Sequence, residues 1–192
     1  MTEEWREFAE KTKNDDPSPL LVEALSLVTT RDRALELGSG GGSDPRHLHE
    51  AGFKRVDAVD IRPEAAEYLP KEVVFTPSAF DAYEFPVDAY DLANAQHALA
   101  FNPPQSFDQM FERLKRSLRE GAVLTMKLLG PDDSWRDERP DMSFHTEEDV
   151  RRLLEGFDII KLEERQYDGS PSVGDAKHWH VWSVIARKKP TS

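Results

Sequence analysis

Twelve residues, Ala34-Leu35-Glu36-Leu37-Gly38-Ser39-Gly40-Gly41-Gly42-Ser43-Asp44-Pro45, constrain this chain more than any other stretch. A short apolar strand enters it and Gly38, Gly40, Gly41 and Gly42 break that strand. A helix then restarts, with Ser43 or Asp44 expected as N-cap and Pro45 at or near the first helical position. Strand, glycine turn and helix form the first half of a nucleotide-binding βαβ unit. Glycine serves the tight turn by tolerating positive φ, and its missing Cβ lets a ligand lie against the backbone.

The dinucleotide fingerprint G-x-G-x-x-G needs a glycine at position 43, where Ser43 stands. The glycines run instead as Glu36-x-Gly38-x-Gly40-x-Gly42. The next strand, Arg55-Val56-Asp57-Ala58-Val59-Asp60, ends in an acid able to accept two hydrogen bonds from a ribose diol. A β-α turn with an acid capping an unrelated helix is the plain structural alternative.

The rest of the chain supports one α/β domain. Its 192 residues suffice for one sizeable core. Residues 3–13 read as a charged helix and 20–28 as a second, with Leu21, Leu25 and Val28 at helical spacing. Strands are expected at 33–37, 55–60, 73–75, 90–95 and 122–129, and helices at 44–51, 63–69 and 104–118. Residues 130–145 have no periodicity, and a loop of that length is usually functional or mobile. Thr146 with Asp149 forms a capping box before a helix reaching about Glu155. Strands at 157–165 and 178–187 follow with no helix between them, so they pair as an antiparallel hairpin. The expected fold class is α/β, a Rossmann-like doubly wound sheet of about seven strands, mostly parallel, with a C-terminal antiparallel hairpin. Residues 1–30 are expected to form a helical cap and 31–192 the ligand-binding domain.

Charge and composition narrow the function. The net charge of −12 repels phosphate backbones, and the one dense basic run is Arg187-Lys188-Lys189, so a small-molecule partner is expected and no nucleic acid. The absence of cysteine excludes disulfides, thiolate metal sites and a cysteine nucleophile. The N-terminal residues are acidic without an apolar core, and no run of 18 apolar residues occurs, so a cytoplasmic protein without membrane association is expected. Oligomeric state is not legible.

The glycine pattern resembles motif I of the class I S-adenosylmethionine (SAM)-dependent methyltransferases, and the hairpin ending is theirs rather than a dehydrogenase's. The resemblance covers about residues 20–188. Within it, Gly130-Pro131-x-x-Ser134-Trp135, Pro140-Asp141-Met142-Ser143-Phe144-His145 and Lys177-His178-Trp179-His180-Val181 are similar to the small tellurite-resistance and thiopurine methyltransferases. The resemblance implies SAM as cofactor, S-adenosylhomocysteine as its product, and in-line SN2 transfer to a small nucleophile such as a thiol, a thiopurine or a tellurium or selenium oxyanion. It places Glu36, Gly38, Ser39 and Gly40 at the methionine part, Asp60 at the ribose, Ile61 at the adenine, and Asn94 and Ala95 at the amino-acid portion. Ala79 and Phe80 stand where family members carry an acid for the adenine amino group, so that contact falls to Ser78, a backbone group or Asp81. Gln96 and His97 face the substrate side, with His97 the candidate general base and Phe101, Trp135 and His145 further candidate substrate contacts. Trp5 either reaches ligand or packs its helix down. His178 and His180 share a strand face, but no metal site is assigned. The other readings are a non-catalytic SAM-binding protein and an NAD(P)-dependent oxidoreductase.

Overall fold

A computed structural model describes residues 3–190. The elements follow as α1 (Glu3–Thr12), α2 (Pro19–Leu25), β1 (Arg33–Leu37), α3 (Ser43–Glu50), β2 (Arg55–Asp60), β3 (Val74–Pro77), β4 (Tyr90–Ala95), α4 (Pro104–Ser117), β5 (Leu118–Leu129), α5 (Trp135–Glu138), α6 (Glu147–Leu153), β6 (Phe157–Gly169) and β7 (Lys177–Lys188). Seven strands form one sheet in the order β3-β2-β1-β4-β5-β7-β6. The first five are parallel, and β7 runs antiparallel to both β5 and β6. The fold class and its closing hairpin are as the sequence led us to expect.

Alternation along the strands assigns each side chain to a face. One face carries Ala34, Val56, Ala58, Leu92, Val123 and Ile185, and it packs on Leu20, Leu21 and Leu25 of α2 and Leu48 of α3. The opposite face carries Leu35, Leu37, Ala93, Ala95, Leu124, Met126 and Val184, and it meets Phe107, Met110, Phe111 and Leu114 of α4. Each fully buried Leu or Phe contributes about 1.5–3 kcal/mol. The inner strands are apolar on both faces, as a sheet covered by helices on both sides requires. The long edge strand β6 is mostly exposed and charged, which discourages pairing with another sheet.

Three local expectations change. Helix α3 is capped by Gly42 in the left-handed region (φ 84°), not by Ser43 or Asp44. The Asp44 carboxylate is drawn away to the Ser18 N–H at 2.7 Å and the Ser18 hydroxyl at 2.8 Å. Strand β5 begins at Leu118 and runs through Gly121, with a register irregularity opposite Tyr90 and Leu92. Strand β6 extends to Gly169 because its polar end continues the backbone ladder with β7. The Thr146–Asp149 capping box is present, with the Asp149 N–H donating to Thr146 Oγ1 at 3.2 Å.

At the N-terminal edge of the sheet, Asp91 is a buried junction. Its carboxylate accepts from the Asp32 N–H (2.7 Å), the Arg33 N–H (3.0 Å), the Thr30 hydroxyl (3.0 Å) and Arg119 Nη1 (3.0 Å). Burial pushes its pKa up, but these four donors outweigh burial and hold it below the ordinary carboxylate value. A depressed folded-state pKa stabilises the fold above the unfolded-chain value of about 3.9 and loses that contribution as pH falls through the folded value. Asp91→Ala is expected to cost about 3 kcal/mol in urea unfolding at neutral pH, because it strands buried donors. Lys54→Ala, which removes an exposed ion pair with Asp32, is expected to leave the urea midpoint unchanged.

Candidate active site

The C-terminal ends of β1, β2 and β4 converge beside the glycine turn, the usual ligand crevice of an open α/β sheet. The turn is shaped by close approach. Gly38 adopts φ 82°, and a Cβ there would fall 2.3 Å from the Ala98 Cβ and 3.8 Å from the Phe80 ring. A Cβ on Gly41 would fall 2.5 Å from Thr12 Oγ1 at the end of α1. Helix α1 therefore lies directly over the turn. Its Trp5 packs on Tyr68, with ring centroids 5.9 Å apart.

Three buried acids line this crevice, Glu36, Asp44 and Asp60. Asn94 Nδ2 donates to Glu36 at 2.8 Å and to Asp44 at 3.0 Å. Burial raises the Glu36 pKa well above its ordinary value, and the neighbouring Asp44 charge adds to this despite the Asn94 bond. Burial also raises Asp60, against hydrogen bonds from the Arg62, Gly40 and Ser39 backbone. The Arg62 N–H reaches Asp60 at 2.9 Å and the Gly40 N–H at 3.4 Å. The Ser39 hydroxyl is buried with no hydrogen-bond partner. A concentration of buried carboxylates with no described cation paired to them suits a ligand that brings a cationic amine and hydroxyl groups.

The other expected ligand contacts sort by face. Ile61 stands exposed just after β2, free to cover a flat ring. Ala79 and Phe80 follow β3, and Phe80 reaches Gly38. Asp81 is engaged by α4, where Ser106 donates to one of its oxygens at 2.7 Å. Ser78 donates to the Ala79 carbonyl at 2.9 Å. Ala95 is buried in the opposite core, so only its backbone faces the crevice.

Beyond β4, Gln96, His97, Phe101 and Trp135 gather with Trp179. Gln96 Nε2 donates to Asn94 at 2.8 Å, and its Oε1 is buried without a partner. His97 holds φ 56°, a strained region for a residue with a Cβ. Its ring meets Trp179 edge-on at 5.7 Å, and its Nδ1 is buried without a partner. Burial, helped by the charges of Lys127 and Lys177, lowers its pKa to about 3. Trp135 lies 5.4 Å from Trp179 and 6.5 Å from Phe101, centroid to centroid.

His145 is not with them. Phe144 bridges to Leu129 and joins the Trp179 cluster, so the next side chain points to the other face of the sheet. There the His145 ring packs on Phe107 at 4.3 Å, and burial lowers its pKa to about 4. A separate depression of about 380 Å³ lies beside it, lined by Phe107, Asp108, Arg136 and Arg152 among others. His178 and His180 are engaged by their own neighbours. His178 Nδ1 pairs with Asp168 at 2.8 Å, and His180 Nδ1 accepts from the Asp132 N–H at 3.1 Å. Among the described residues no group of three His, Asp or Glu side chains is placed to hold a metal ion.

Sequence reasoning missed Asp133 and Lys177. Lys177 pairs with Asp133, and both are buried. The ammonium lies 4.3 Å from the Trp135 ring and 3.8 Å from Trp179. Asp133 also accepts from the Trp135 N–H at 3.0 Å and the His180 N–H at 3.2 Å. This knot pins the 130–145 segment to β7. Nothing in the local sequence of either residue announces it. Lys127, also missed, did leave a sign: it is the one charge in the apolar run Ala122–Leu129.

The comparisons agree with this fold. Residues 34–121 match the methyltransferase domain family. TehB from Haemophilus influenzae shares the fold at 15% identity, with 95% of this chain and 66% of that one covered and a TM-score of 0.78. The N-methyltransferase NodS from Bradyrhizobium japonicum, in complex with S-adenosyl-l-homocysteine, is 14% identical over 97% of this chain and 99% of that one, with a TM-score of 0.65. The 1,6-didemethyltoxoflavin-N1-methyltransferase of Burkholderia thailandensis, with 1,6-didemethyltoxoflavin and S-adenosylhomocysteine bound, is 19% identical over 90% of this chain and 79% of that one, with a TM-score of 0.64. No curated protein matches by sequence. No described helix is long and apolar enough to cross a membrane.

Two outcomes follow from the site's electrostatics. A raised folded-state pKa at Glu36 means that stability falls as pH rises from the unfolded value of about 4.3 through the folded one. In Glu36→Gln that decline is expected to flatten, read as urea midpoints at a series of pH values. Lys177→Met strands the Asp133 carboxylate and is expected to cost about 3 kcal/mol, part of which the added Asp133→Asn change restores. Denaturant melts of the single and double variants check this.

Proposed function

We propose that this chain, a class I SAM-dependent methyltransferase by its domain and fold, transfers the SAM methyl group to a small soft nucleophile lodged between His97, Phe101, Trp135 and Trp179. The observation that carries the reading is the buried acid set of Glu36, Asp44 and Asp60 beside the glycine turn between β1 and α3. In this reading Asp60 takes the ribose hydroxyls and Ile61 and Phe80 cover the adenine. Glu36, Asn94 and the backbone at Gly38, Ser39, Gly40 and Ala95 hold the amino-acid end. The helices before residue 31 act as a cap, which the contact of α1 with Gly41 supports. Bound there, SAM supplies a methyl already activated on a cationic sulfonium.

The protein's own work is then placement. Fixing two reactants in line is worth up to about 7–11 kcal/mol. Gln96 and His97 present buried, unpartnered acceptor or donor atoms toward the acceptor side, which orients a polar substrate. Trp135 and Trp179 supply an apolar wall beside them, with Phe101 exposed at its edge. With its pKa held near 3, His97 is neutral at physiological pH and a poor proton acceptor. We therefore assign it a hydrogen-bonding role and not that of general base. Thiols, thiopurines and tellurium or selenium oxyanions all fit a soft acceptor of this size.

Isothermal titration with SAM, S-adenosylhomocysteine and NAD tests the reading. The sulfur ligands are expected to bind at micromolar levels and NAD not at all. Asp60→Ala is expected to weaken SAM at least about tenfold, through loss of two charge-assisted hydrogen bonds, with an unchanged circular dichroism spectrum. Unaltered affinity in that variant removes the ribose assignment, and the binding of NAD alone would favour an oxidoreductase.

A further inference from the structure

The two sides of the β4 terminus differ in charge. Glu36, Asp44 and Asp60 occupy the glycine-turn side. The acceptor side carries Lys127 and Lys177, both of which act on His97. We infer that the acceptor reacts as an anion, and that Lys127 is the residue that selects it. This rests on the methyl-transfer reading above.

The register places Lys127. Ala95 of β4 stands opposite Met126, so Lys127 lies level with Gln96, one step beyond the paired strand ends. Thr125 shares its face and receives a hydrogen bond from Gln96 Nε2 at 3.4 Å. On β7, Lys127 pairs with Ser183, and Leu129 pairs with Val181. Leu129 and Val181 belong to the cluster that holds Trp179, with Trp135 packed against it. Lys127 therefore projects from the face that builds the aromatic chamber.

It is also uncommitted. The neighbouring cations have partners: Lys177 is bound to Asp133, and Arg165 to Glu163 at 2.8 Å. Lys127 makes no hydrogen bond or ion pair with any described residue. Burial lowers its pKa below the ordinary lysine value, Asp44 opposes that and Arg165 adds to it, while Asp44 already accepts from Ser18 and Asn94. On β6, Glu163 is held by Arg165 and by Lys161 at 4.0 Å. An anion placed beside this half-buried amine would favour its charged form. Gln96 Oε1 and His97 Nδ1 beside it are likewise unpartnered.

The chemistry points the same way. The acceptor's lone pair forms the bond to the methyl carbon as the carbon–sulfur bond breaks, and that electron pair stays on sulfur. A neutral protonated nucleophile must also lose a proton, but the His97 imidazole beside it is poorly basic and Lys177 is already paired with Asp133. An acceptor that arrives as an anion needs no base, and its charge cancels that of the sulfonium in a water-poor site. An organic thiolate and an inorganic oxyanion share this chemistry.

Isothermal titration of the S-adenosylhomocysteine-loaded protein at about pH 7.5 separates the cases, with 4-nitrothiophenolate, selenite and the neutral 4-nitrothioanisole as probes. At least one anion is expected to bind about tenfold more tightly than the neutral thioether. Preference for 4-nitrothiophenolate indicates an organic thiolate, and preference for selenite an inorganic oxyanion. Lys127→Met is expected to abolish the preference and Lys127→Arg to keep most of it, with S-adenosylhomocysteine affinity unchanged in both. Equal binding of the neutral probe, no anion binding, or an intact preference in Lys127→Met overturns the proposal. So does a parallel loss of S-adenosylhomocysteine affinity in Lys127→Met, which would assign the lysine to the cofactor side. Failure of the wild-type protein to bind S-adenosylhomocysteine would instead sink the methyl-transfer reading itself.

Discussion

One amide holds the site together. Asn94 Nδ2 donates to both Glu36 and Asp44, and Asn94 is fully buried. Through Asp44 the network continues to Ser18 at the start of α2, so one chain of bonds joins β4, β1, α3 and the N-terminal helices. Two acids sharing one neutral donor repel each other, and the raised Glu36 pKa is that repulsion added to burial. Such an arrangement is costly when empty and favourable when a cation arrives. The fold's least comfortable electrostatics thus coincide with the place where the methyl donor's cationic end is proposed to lie.

What the sequence disclosed, and what it hid, follows the range of each interaction. The glycine turn, the inner strands and the Thr146–Asp149 box depend on neighbours within a few residues, so they could be read directly. The α3 cap could not. Asp44 is a good local cap, but Ser18, 26 residues away, competes for its carboxylate, and Gly42 takes over the cap position. Strand β6 was underestimated for a related reason. Its polar end has little β-propensity of its own, yet β7 offers a complete backbone ladder.

The site divides in the same way. Asp60 and Glu36 were legible because they stand at strand ends beside the glycines. Phe101 and Trp135 meet as the loop pattern suggested, whereas His145 does not, because one step along an extended backbone reverses a side chain. The Asp133–Lys177 pair spans 44 residues and two elements, beyond any local pattern. Lys127 lay between these extremes. A lysine inside an apolar strand is anomalous on sight, but only the register with β4 and β7 shows which face it serves.

Bulk charge misleads about this local field. A net charge of −12 repels phosphate-rich partners and, taken alone, disfavours any anion. Yet most of the surface acids lie outside the strand-end crevice and are screened by solvent over about 10 Å. Inside it, desolvated groups act at short range with far less screening, so Lys127 counts for more than distant carboxylates, whereas Lys177 is already paired with Asp133. The end of β4 thus separates a negative recess from a positive one. A cationic donor and an anionic acceptor placed in them would each be attracted to its own side, and the reacting atoms would meet at the boundary.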